Sequence, residues 1–526
     1  MNLTGSNHIG GTLSKKGESR FSAVDPSTGR QIEPMFHEAT EDEINEAIHK
    51  AAEAFRIYRN TSGNDKADFL EAVGEEILAF GPDLIARAMA ESGLPEARLV
   101  GERGRTVGQL ALFATLLREG SWVDARMDTA LPERKPAPRP DIRSLQKALG
   151  PVGVFGASNF PLAFSVAGGD TVSALAAGCP VVFKAHPAHP GTCEMVGSAI
   201  QTALQKTGLP AGVFSLLQGR GTEVGMAIVR HPQIKAIGFT GSFAGGKALF
   251  DAANRRAEPI PVYAEMGSTN PVFLLPRRLQ EQGEKIAQDL AAAVTLGVGQ
   301  FCTNPGLVFL QQSDAEARFK DSLSRQIREL TAGVMLTAGM KSGYDRGIER
   351  LSAVGGVRVL AKGKDVGEGS RAAPQVLEAS AALFLTVPAL EEEVFGPSTL
   401  TITAANRSEL LQAAERLGGH LTATIHGTDA DLEEYTELIR ILEQKAGRLV
   451  INGYPTGVEV CSAMVHGGPF PATTDCRTTS VGTLAIHRFT RPVCYQGFPA
   501  GLLPPELQDD NPLGIWRLVD GERRKD

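Results

Sequence analysis

The sequence predicts an α/β protein built on two doubly wound parallel sheets. Three observations predict it: two separate alternations of strand-like and helix-like segments, and a length that one core cannot fill. The chain has 526 residues, and single hydrophobic cores stop growing at about 250–300 residues, so two or three domains are expected. In the first alternation, strand-like runs at 152–155, 181–184, 213–217, 236–240 and 262–265 are separated by helix-like stretches at about 161–177, 191–206, 221–230 and 243–256. Short apolar strands alternating with helices form β-α-β units and hence a parallel sheet. The second alternation holds a helix at 289–297, a strand at 306–310, a helix at 314–331, strands at 357–361 and 399–403, a helix at 407–417, a strand at 422–426, a helix at 429–443 and a strand at 448–451.

The chain ahead of the first alternation reads differently. Residues 21–38 form an extended segment around the turn Asp25-Pro-Ser-Thr-Gly29. Thr40-Glu-Asp-Glu43 is a capping box, and Ile44, Ala47, Ile48, Ala51 and Phe55 follow it at helical spacing. Further helices are expected at 64–80, 82–91 and 95–118. Residues 132–144, rich in proline and arginine, form either a linker or an extended edge arm. In the tail, 480–486 reads as a strand, followed by irregular, proline-rich chain.

Composition excludes several classes of function. A net charge of -7 offers no nucleic-acid footprint. The six cysteines, at 179, 193, 302, 461, 476 and 494, are scattered without a CxxC pair. That spacing argues against a disulfide framework or a zinc site, and for a reducing compartment. The uncharged run 148–169 is broken by Pro151, Pro161 and five glycines, so it reads as strand, turn and helix start and not as a membrane span. No secretory signal opens the chain, and the expected location is the cytoplasm. The His186-Pro-Ala-His189 pair, flanked by prolines, reads as a surface loop with no third metal ligand near it in sequence.

Ligands of open α/β sheets bind beyond the C-terminal strand ends, and the polar residues of interest fall there. Gly241-Ser-Phe-Ala-Gly-Gly246-Lys247 has the glycine and lysine spacing of a phosphate-binding loop, but Ala248 stands where a magnesium-holding hydroxyl is needed. A strand, a glycine-rich turn and a helix start still make an anion site, suited to a dinucleotide pyrophosphate. Asn159, after strand 152–155, can donate a carboxamide N–H to an oxyanion or simply shape a turn. Glu265 ends an apolar strand and reads either as a general base or as a structural carboxylate. Cys302 lies in Gly299-Gln-Phe-Cys302-Thr-Asn-Pro-Gly306, with no charged residue from 291 to 311. Glycines there allow close backbone approach, and an amide beside a thiol can stabilise an oxyanion. In Glu391-Glu-Glu393-Val-Phe395-Gly-Pro397, a carboxylate can grip a ribose diol and a ring can pack on a heterocycle.

Taken together and in order, PVGVFGASNFPL, VVFKAHPAHPG, IGFTGSFAGGKAL, YAEMGSTNPVF, GQFCTNPG and EEEVFGPS resemble the aldehyde dehydrogenase superfamily. The segments ESGLPEARLVGERGRTVGQLALF, LREGSWVDAR, SNFPLAFSVAGGDTVSALAAGCPVV and MVHGGPFPATTD are most similar to its NADP-linked 2,5-dioxopentanoate (α-ketoglutarate semialdehyde) branch. Bacterial fatty-aldehyde dehydrogenases share part of the pattern.

The resemblance implies a fold: a dinucleotide-binding domain of residues 1–132 and 149–264, a catalytic domain of 265–465, and a small β oligomerisation arm and tail of 133–148 and 466–526. It also implies roles. Cys302 is the nucleophile, forming a thiohemiacetal that becomes a thioester once hydride has passed to nicotinamide. Asn159 and the Cys302 N–H hold the oxyanion, and Glu265 activates water. Lys184 and Glu393 hold ribose hydroxyls, Gly241 and Ser242 meet the pyrophosphate, and Phe395 flanks the nicotinamide ribose.

The sequence departs from the family pattern in three places. The usual Lys-Pro-x-Glu reads Lys184-Ala-His-Pro187, which removes a carboxylate that would repel a 2′-phosphate. NADP is therefore the expected cofactor, with NAD possible, and Arg220 is placed to pair with the phosphate. The usual Gly-Ser-Thr reads Gly241-Ser-Phe243, which alters packing around the pyrophosphate. The usual Pro-Phe-Gly-Gly is replaced by His466-Gly-Gly-Pro-Phe470, and no role carries over there.

For an acidic substrate, helix 95–118 should line the tunnel. Gly101, Arg105 and Gln109 share one face, Arg105 pairs with the substrate carboxylate, and the turn bearing Gly457 and Val458 adds backbone donors. No metal, nucleic-acid or membrane partner is expected. A homodimer or homotetramer is expected, formed through arm 133–148 and a strand near 480–488. The alternatives are a fatty or other aldehyde dehydrogenase of the same superfamily, a cysteine thioester hydrolase without redox chemistry, and a non-catalytic protein on the same fold.

Overall fold

The computed structural model describes residues 3–526. Its centre is a seven-stranded sheet in the order Val262–Glu265, Ala236–Thr240, Val152–Phe155, Val181–Lys184, Phe214–Leu217, Asn7–Ile9 and Thr12–Ser14. The first five strands are parallel, in the register Phe155 beside Lys184 and Thr240 beside Glu265. Each is apolar because helices cover both faces. Two edge strands were not anticipated. The hairpin Asn7–Ser14 adds antiparallel to Phe214–Leu217, tied down by Asn7 Oδ1 accepting from the Gln218 N–H at 2.7 Å.

A second seven-stranded sheet follows, ordered Arg358–Lys362, Gln375–Ser380, Ser398–Ala404, Leu307–Gln311, Val272–Leu274, His420–His426 and Ala446–Ile451. All its pairs are parallel except the outermost Arg358–Lys362. The third sheet, of five strands, joins Thr490–Gln496 to Ile142–Ala148, Arg126–Asp128, Arg517–Val519 and Glu522–Arg524.

The predicted elements stand with three corrections. Residues 480–486 are not a strand: Thr483–Phe489 is a 3-10 helix, and the strand begins one residue later, at Thr490. The helix expected at 161–177 begins only at Gly169, because Glu102 Oε1 accepts from the Leu162 and Ala163 N–H groups (2.8 and 3.0 Å) and holds a tight turn first. The helix before the cysteine stretch starts at Pro276, well ahead of 289, on a charged first half that hides its period. No helix among the described residues is long and apolar enough to cross a membrane.

The C-terminal segment ties the first two sheets together. After Ala446–Ile451 the chain turns back and lies along the open edge strand Val262–Glu265. Met266 N–H donates to Ala472 O (2.8 Å), Thr474 N–H to Ala264 O (3.1 Å), and Glu265 bridges Thr473. Beneath it, Arg488 is fully buried and paired with Asp170 at 2.8 Å.

Candidate active site

Strand order in the first sheet reverses between Val152–Phe155 and Ala236–Thr240, which opens a crevice at their C-terminal ends. A cavity of about 320 Å³ occupies it. Ala157, Ser158 and Asn159 line one wall, Thr240, Gly241 and Ser242 a second, Glu265 to Gly267 a third, and Cys302, Tyr344, Glu393 and Phe395 close it from the second sheet. The fold thus brings Asn159, Gly241, Ser242, Glu265, Cys302, Glu393 and Phe395 to one space.

The turn holding Cys302 is forced. Gly297, Val298 and Gly299 have φ of 56°, 59° and 65°. For β-branched Val298 that conformation is strained. Gly299 leaves no room for a side chain: a Cβ would sit 2.3 Å from Gly396 O. The glycine-rich turn and the Glu393–Pro397 turn therefore pack backbone to backbone. Asn270, itself at φ 45°, donates Nδ2 to Cys302 O (2.8 Å) and Asn304 O (2.9 Å), fixing both ends of the turn.

Sequence reasoning missed what the sulfur faces. Cys302 Sγ lies 3.5 Å from His466 Nε2, and the same nitrogen lies 3.0 Å from Glu265 Oε1. Ser480 Oγ donates to Glu265 Oε2 at 2.6 Å. His466 Nδ1 is buried and has no partner, which favours the tautomer with the proton on Nε2, donated to Glu265. Burial alone would raise the Glu265 pKa. The His466 ring and the Ser480 hydroxyl outweigh it and hold the carboxyl below its ordinary value. Burial, and then the Glu265 charge, push the Cys302 thiol well above its ordinary value, with Arg105 opposing. At rest the sulfur is a thiol beside an ionised carboxylate, with the His466 ring touching both.

Asn159 spends one amide N–H on Gln300 O at 2.9 Å, and its second N–H remains for the cavity. Arg98 Nη2 donates to Asn159 O at 2.6 Å and fixes that loop. Ser242 caps the helix Phe243–Asn254, accepting from the Gly245 N–H at 3.2 Å. Lys247 turns away to Asp251 at 2.7 Å, so the phosphate-loop reading of the lysine fails while the helix N-terminus stays open to the cavity. Phe243 is exposed and meets Phe470, ring centroids 5.9 Å apart, which is the local consequence of Phe in place of Thr.

Lys184 donates to Gly219 O at 2.6 Å, and burial lowers its pKa to about 8. Burial pushes Glu393 up to about 7; its carboxylate fills the space a Cβ on Gly267 would take. Arg220 lies outside this cavity, exposed, in a neighbouring cleft with Arg20, His186 and Pro187.

The expected substrate-binding residues lie on the other side of Cys302. Arg105 stacks on Phe164 and Phe160, 5.0 and 5.9 Å from the ring centroids, and its Nε and Nη2 are buried without partners. Burial lowers its pKa, and the nearby Cys302 and Glu102 charges raise it. Gln109 Nε2 is likewise buried and unpaired, beside Gly169. Gly101 is exposed, which corrects the predicted face to Arg98, Glu102, Arg105 and Gln109. Val458 packs with Phe160, Phe164 and Phe301. The Gly457 and Pro455 carbonyls accept from Arg448 at 2.8 and 2.6 Å, so the turn is held by a second arginine that sequence reasoning did not single out. The reading of 186–189 as a surface loop is also corrected. His189 is fully buried, with Nε2 3.0 Å from Ala157 O and Nδ1 3.3 Å from Cys193 Sγ.

Residues 13–469 match the aldehyde dehydrogenase family. The chain belongs to that family and is an oxidoreductase acting on aldehydes. Among curated relatives, it is 52% identical over 523 residues to alpha-ketoglutaric semialdehyde dehydrogenase 2 of Azospirillum brasilense, covering 99% of this chain and 100% of the relative. It is 50% identical over 488 residues to the alpha-ketoglutaric semialdehyde dehydrogenase of Acinetobacter baylyi, covering 93% and 92%. Among solved structures, betaine aldehyde dehydrogenase of Staphylococcus aureus in complex with NAD+ shares the fold at TM-score 0.80 and 18% identity, over 94% of this chain and 96% of that one.

Two donors hold Glu265 ionised, so removing one should raise its pKa. Ser480→Ala is expected to move the acid limb of the pH–kcat profile for aldehyde oxidation to higher pH, with Ser480→Thr restoring it. A profile unmoved by Ser480→Ala would show that the hydroxyl does not tune the carboxylate.

Proposed function

We propose that this enzyme oxidises 2,5-dioxopentanoate (alpha-ketoglutarate semialdehyde) to 2-oxoglutarate with NADP. The observation that carries the substrate is Arg105. A guanidinium with two buried, unpartnered nitrogens in the neighbourhood of the nucleophile is unfavourable until an anion arrives. Arg448, also close enough to feel the Cys302 charge, adds to the positive field. Two curated relatives at about half identity carry that substrate in their names. A long neutral chain would leave the two Arg105 nitrogens unpaired, which disfavours a fatty aldehyde.

The proposed roles draw on the geometry. Arg105 takes the distal carboxylate and Gln109 offers an amide donor beside it, while Val458 and the Gly457 turn shape the mouth. The aldehyde carbon then reaches Cys302. The Cys302 thiol gives its proton to water in the cavity, His466 keeping its own Nε2 proton on Glu265, and a C–S bond forms as the carbonyl oxygen becomes an oxyanion. The free N–H of Asn159 and the Cys302 backbone N–H stabilise that oxyanion. A bound nicotinamide nucleotide supplies the hydride acceptor. Glu265 and His466 together draw a proton from the water that cleaves the acyl–sulfur bond.

The residues present fit such a cofactor. Ser242 and the N-terminus of Phe243–Asn254 face the cavity and suit a pyrophosphate, with Gly241 giving close approach. Lys184 keeps ammonium donors beyond its bond to Gly219 for one ribose, Glu393 can grip the other, and Phe395 packs against it. Pro187 leaves no carboxylate to repel a 2′-phosphate, and Arg220 is exposed in the adjoining cleft. The first sheet with its helices, residues 1–132 and 149–264, would bind the nucleotide, and 265–465 would carry the nucleophile. The third sheet, with Ile142–Ala148 and Thr490–Gln496, would serve a homodimer or homotetramer in the cytoplasm.

Steady-state kinetics followed by the absorbance of reduced cofactor test both choices. Arg105→Met should lower kcat/KM for the acidic semialdehyde by about 100-fold and leave a neutral aldehyde of equal length within about threefold. Equal losses on both substrates would remove Arg105 from recognition. Arg220→Ala should raise KM for NADP roughly tenfold and leave KM for NAD unchanged. An unaltered NADP-to-NAD preference would overturn the role of Arg220.

A further inference from the structure

Three side chains far apart in sequence meet around the sulfur: Cys302, His466 and Glu265 each offer one ligand atom, all within 4.8 Å of one another. Cys302 Sγ to His466 Nε2 is 3.5 Å, and His466 Nε2 to Glu265 Oε1 is 3.0 Å. Zinc–ligand bonds of about 2.0–2.3 Å at tetrahedral angles put neighbouring ligand atoms about 3.3–3.6 Å apart. The observed spacings therefore need only small side-chain shifts to close on one ion. The absence of CxxC spacing in the sequence does not bear on this cluster, because its members come from different parts of the fold.

We propose that these three residues form an inhibitory site for a thiophilic divalent cation such as Zn²⁺ or Cd²⁺. The chemistry favours that class. A thiolate, an imidazole and a carboxylate are a mixed soft and borderline donor set, which Mg²⁺ and Ca²⁺ do not seek. A dication bound to one thiolate and one carboxylate makes a neutral unit, which suits a largely buried site. The carboxylate is already oriented: Ser480 holds Glu265 Oε2 and leaves Oε1 toward His466. No donor faces His466 Nδ1, so the ring proton can move there when Nε2 binds the metal. The same atom then lacks an acceptor, which sets the affinity below that of structural zinc sites, where the second ring nitrogen is hydrogen-bonded.

Binding releases the thiol proton to solvent and forms a metal–sulfur bond, with no change of oxidation state. The fourth coordination position opens onto the 320 Å³ cavity. The ion occupies the sulfur and the carboxylate together, so inhibition is competitive with aldehyde and reversed by a chelator.

The test is a titration of the full-length protein with Cd²⁺ alone, read by the ultraviolet cadmium–thiolate charge-transfer band. One equivalent should develop the band. Cys302→Ser should abolish it, although Cys461, Cys476 and Cys494 remain accessible. His466→Phe and Glu265→Gln, checked for folding by thermal melting, should weaken Cd²⁺ by roughly 10- to 100-fold or more. Persistence of the band in Cys302→Ser, or unchanged affinity in both of the other variants, would overturn the site. These readouts use neither aldehyde nor cofactor, so they stand or fall separately from the substrate assignment.

Discussion

The buried contact of His466 with Glu265 is the constraint on which the site depends. Glu265 ends the edge strand of the first sheet, whereas Cys302 is presented from the second, and neither sheet by itself defines their separation. The segment returning along Val262–Glu265 carries His466 into the gap and Ser480 to the far side of the carboxylate. Its backbone bonds to Met266 and Ala264 make the return rigid. One ring then touches both the Cys302 sulfur and the carboxylate. Burying that carboxylate is tolerable because both of its oxygens have donors.

The charges around Cys302 are divided by side. Toward the cavity lie the carboxylates of Glu265 and Glu393. On the opposite side lie Arg105 and Arg448, both influenced by Cys302 and neither neutralised by a carboxylate hydrogen bond. In the proposed reaction, an aldehyde with a distal carboxylate would enter this field with its anion toward the arginines and its carbonyl toward the sulfur. The aromatic walls Phe160, Phe164 and Phe301 stack on Arg105 and Arg98. Glu102, 4.0 Å from Arg98, partly offsets this positive field.

Much of this was legible in the sequence because strand ends are local. Gly156 to Asn159, Thr240 to Ser242 and Glu265 to Gly267 follow short apolar runs whose period is plain, and a parallel sheet places such ends together. The Cys302 turn announced itself by its glycines. What sequence concealed was long-range: His466 lies 201 residues from Glu265, and Ser480 lies 215 residues from it. Both sit in irregular chain, where no periodicity says which way a side chain points. The segment MVHGGPFPATTD was conspicuous, but its partner was not. The misplaced tail strand had a related cause. Residues 483–489 carry the apolar residues of a strand, yet Ala485, Ile486 and Phe489 are buried against the helical core, whereas 490–496 pair with Ile142–Ala148. Strand Gln375–Ser380 escaped notice because Glu378 interrupts its apolar pattern; that side chain is used by Arg358 and Lys320.

In the proposed reaction, labour is divided between a sulfur that takes up the acyl group and a carboxylate needed to release it. Intact-mass spectrometry of Glu265→Gln, mixed with semialdehyde and NADP, tests that division most directly. An acyl adduct on Cys302, approaching one per chain and absent from Cys302→Ser, is the predicted result. Turnover at the wild-type rate in Glu265→Gln, or an adduct on a different cysteine, would contradict it.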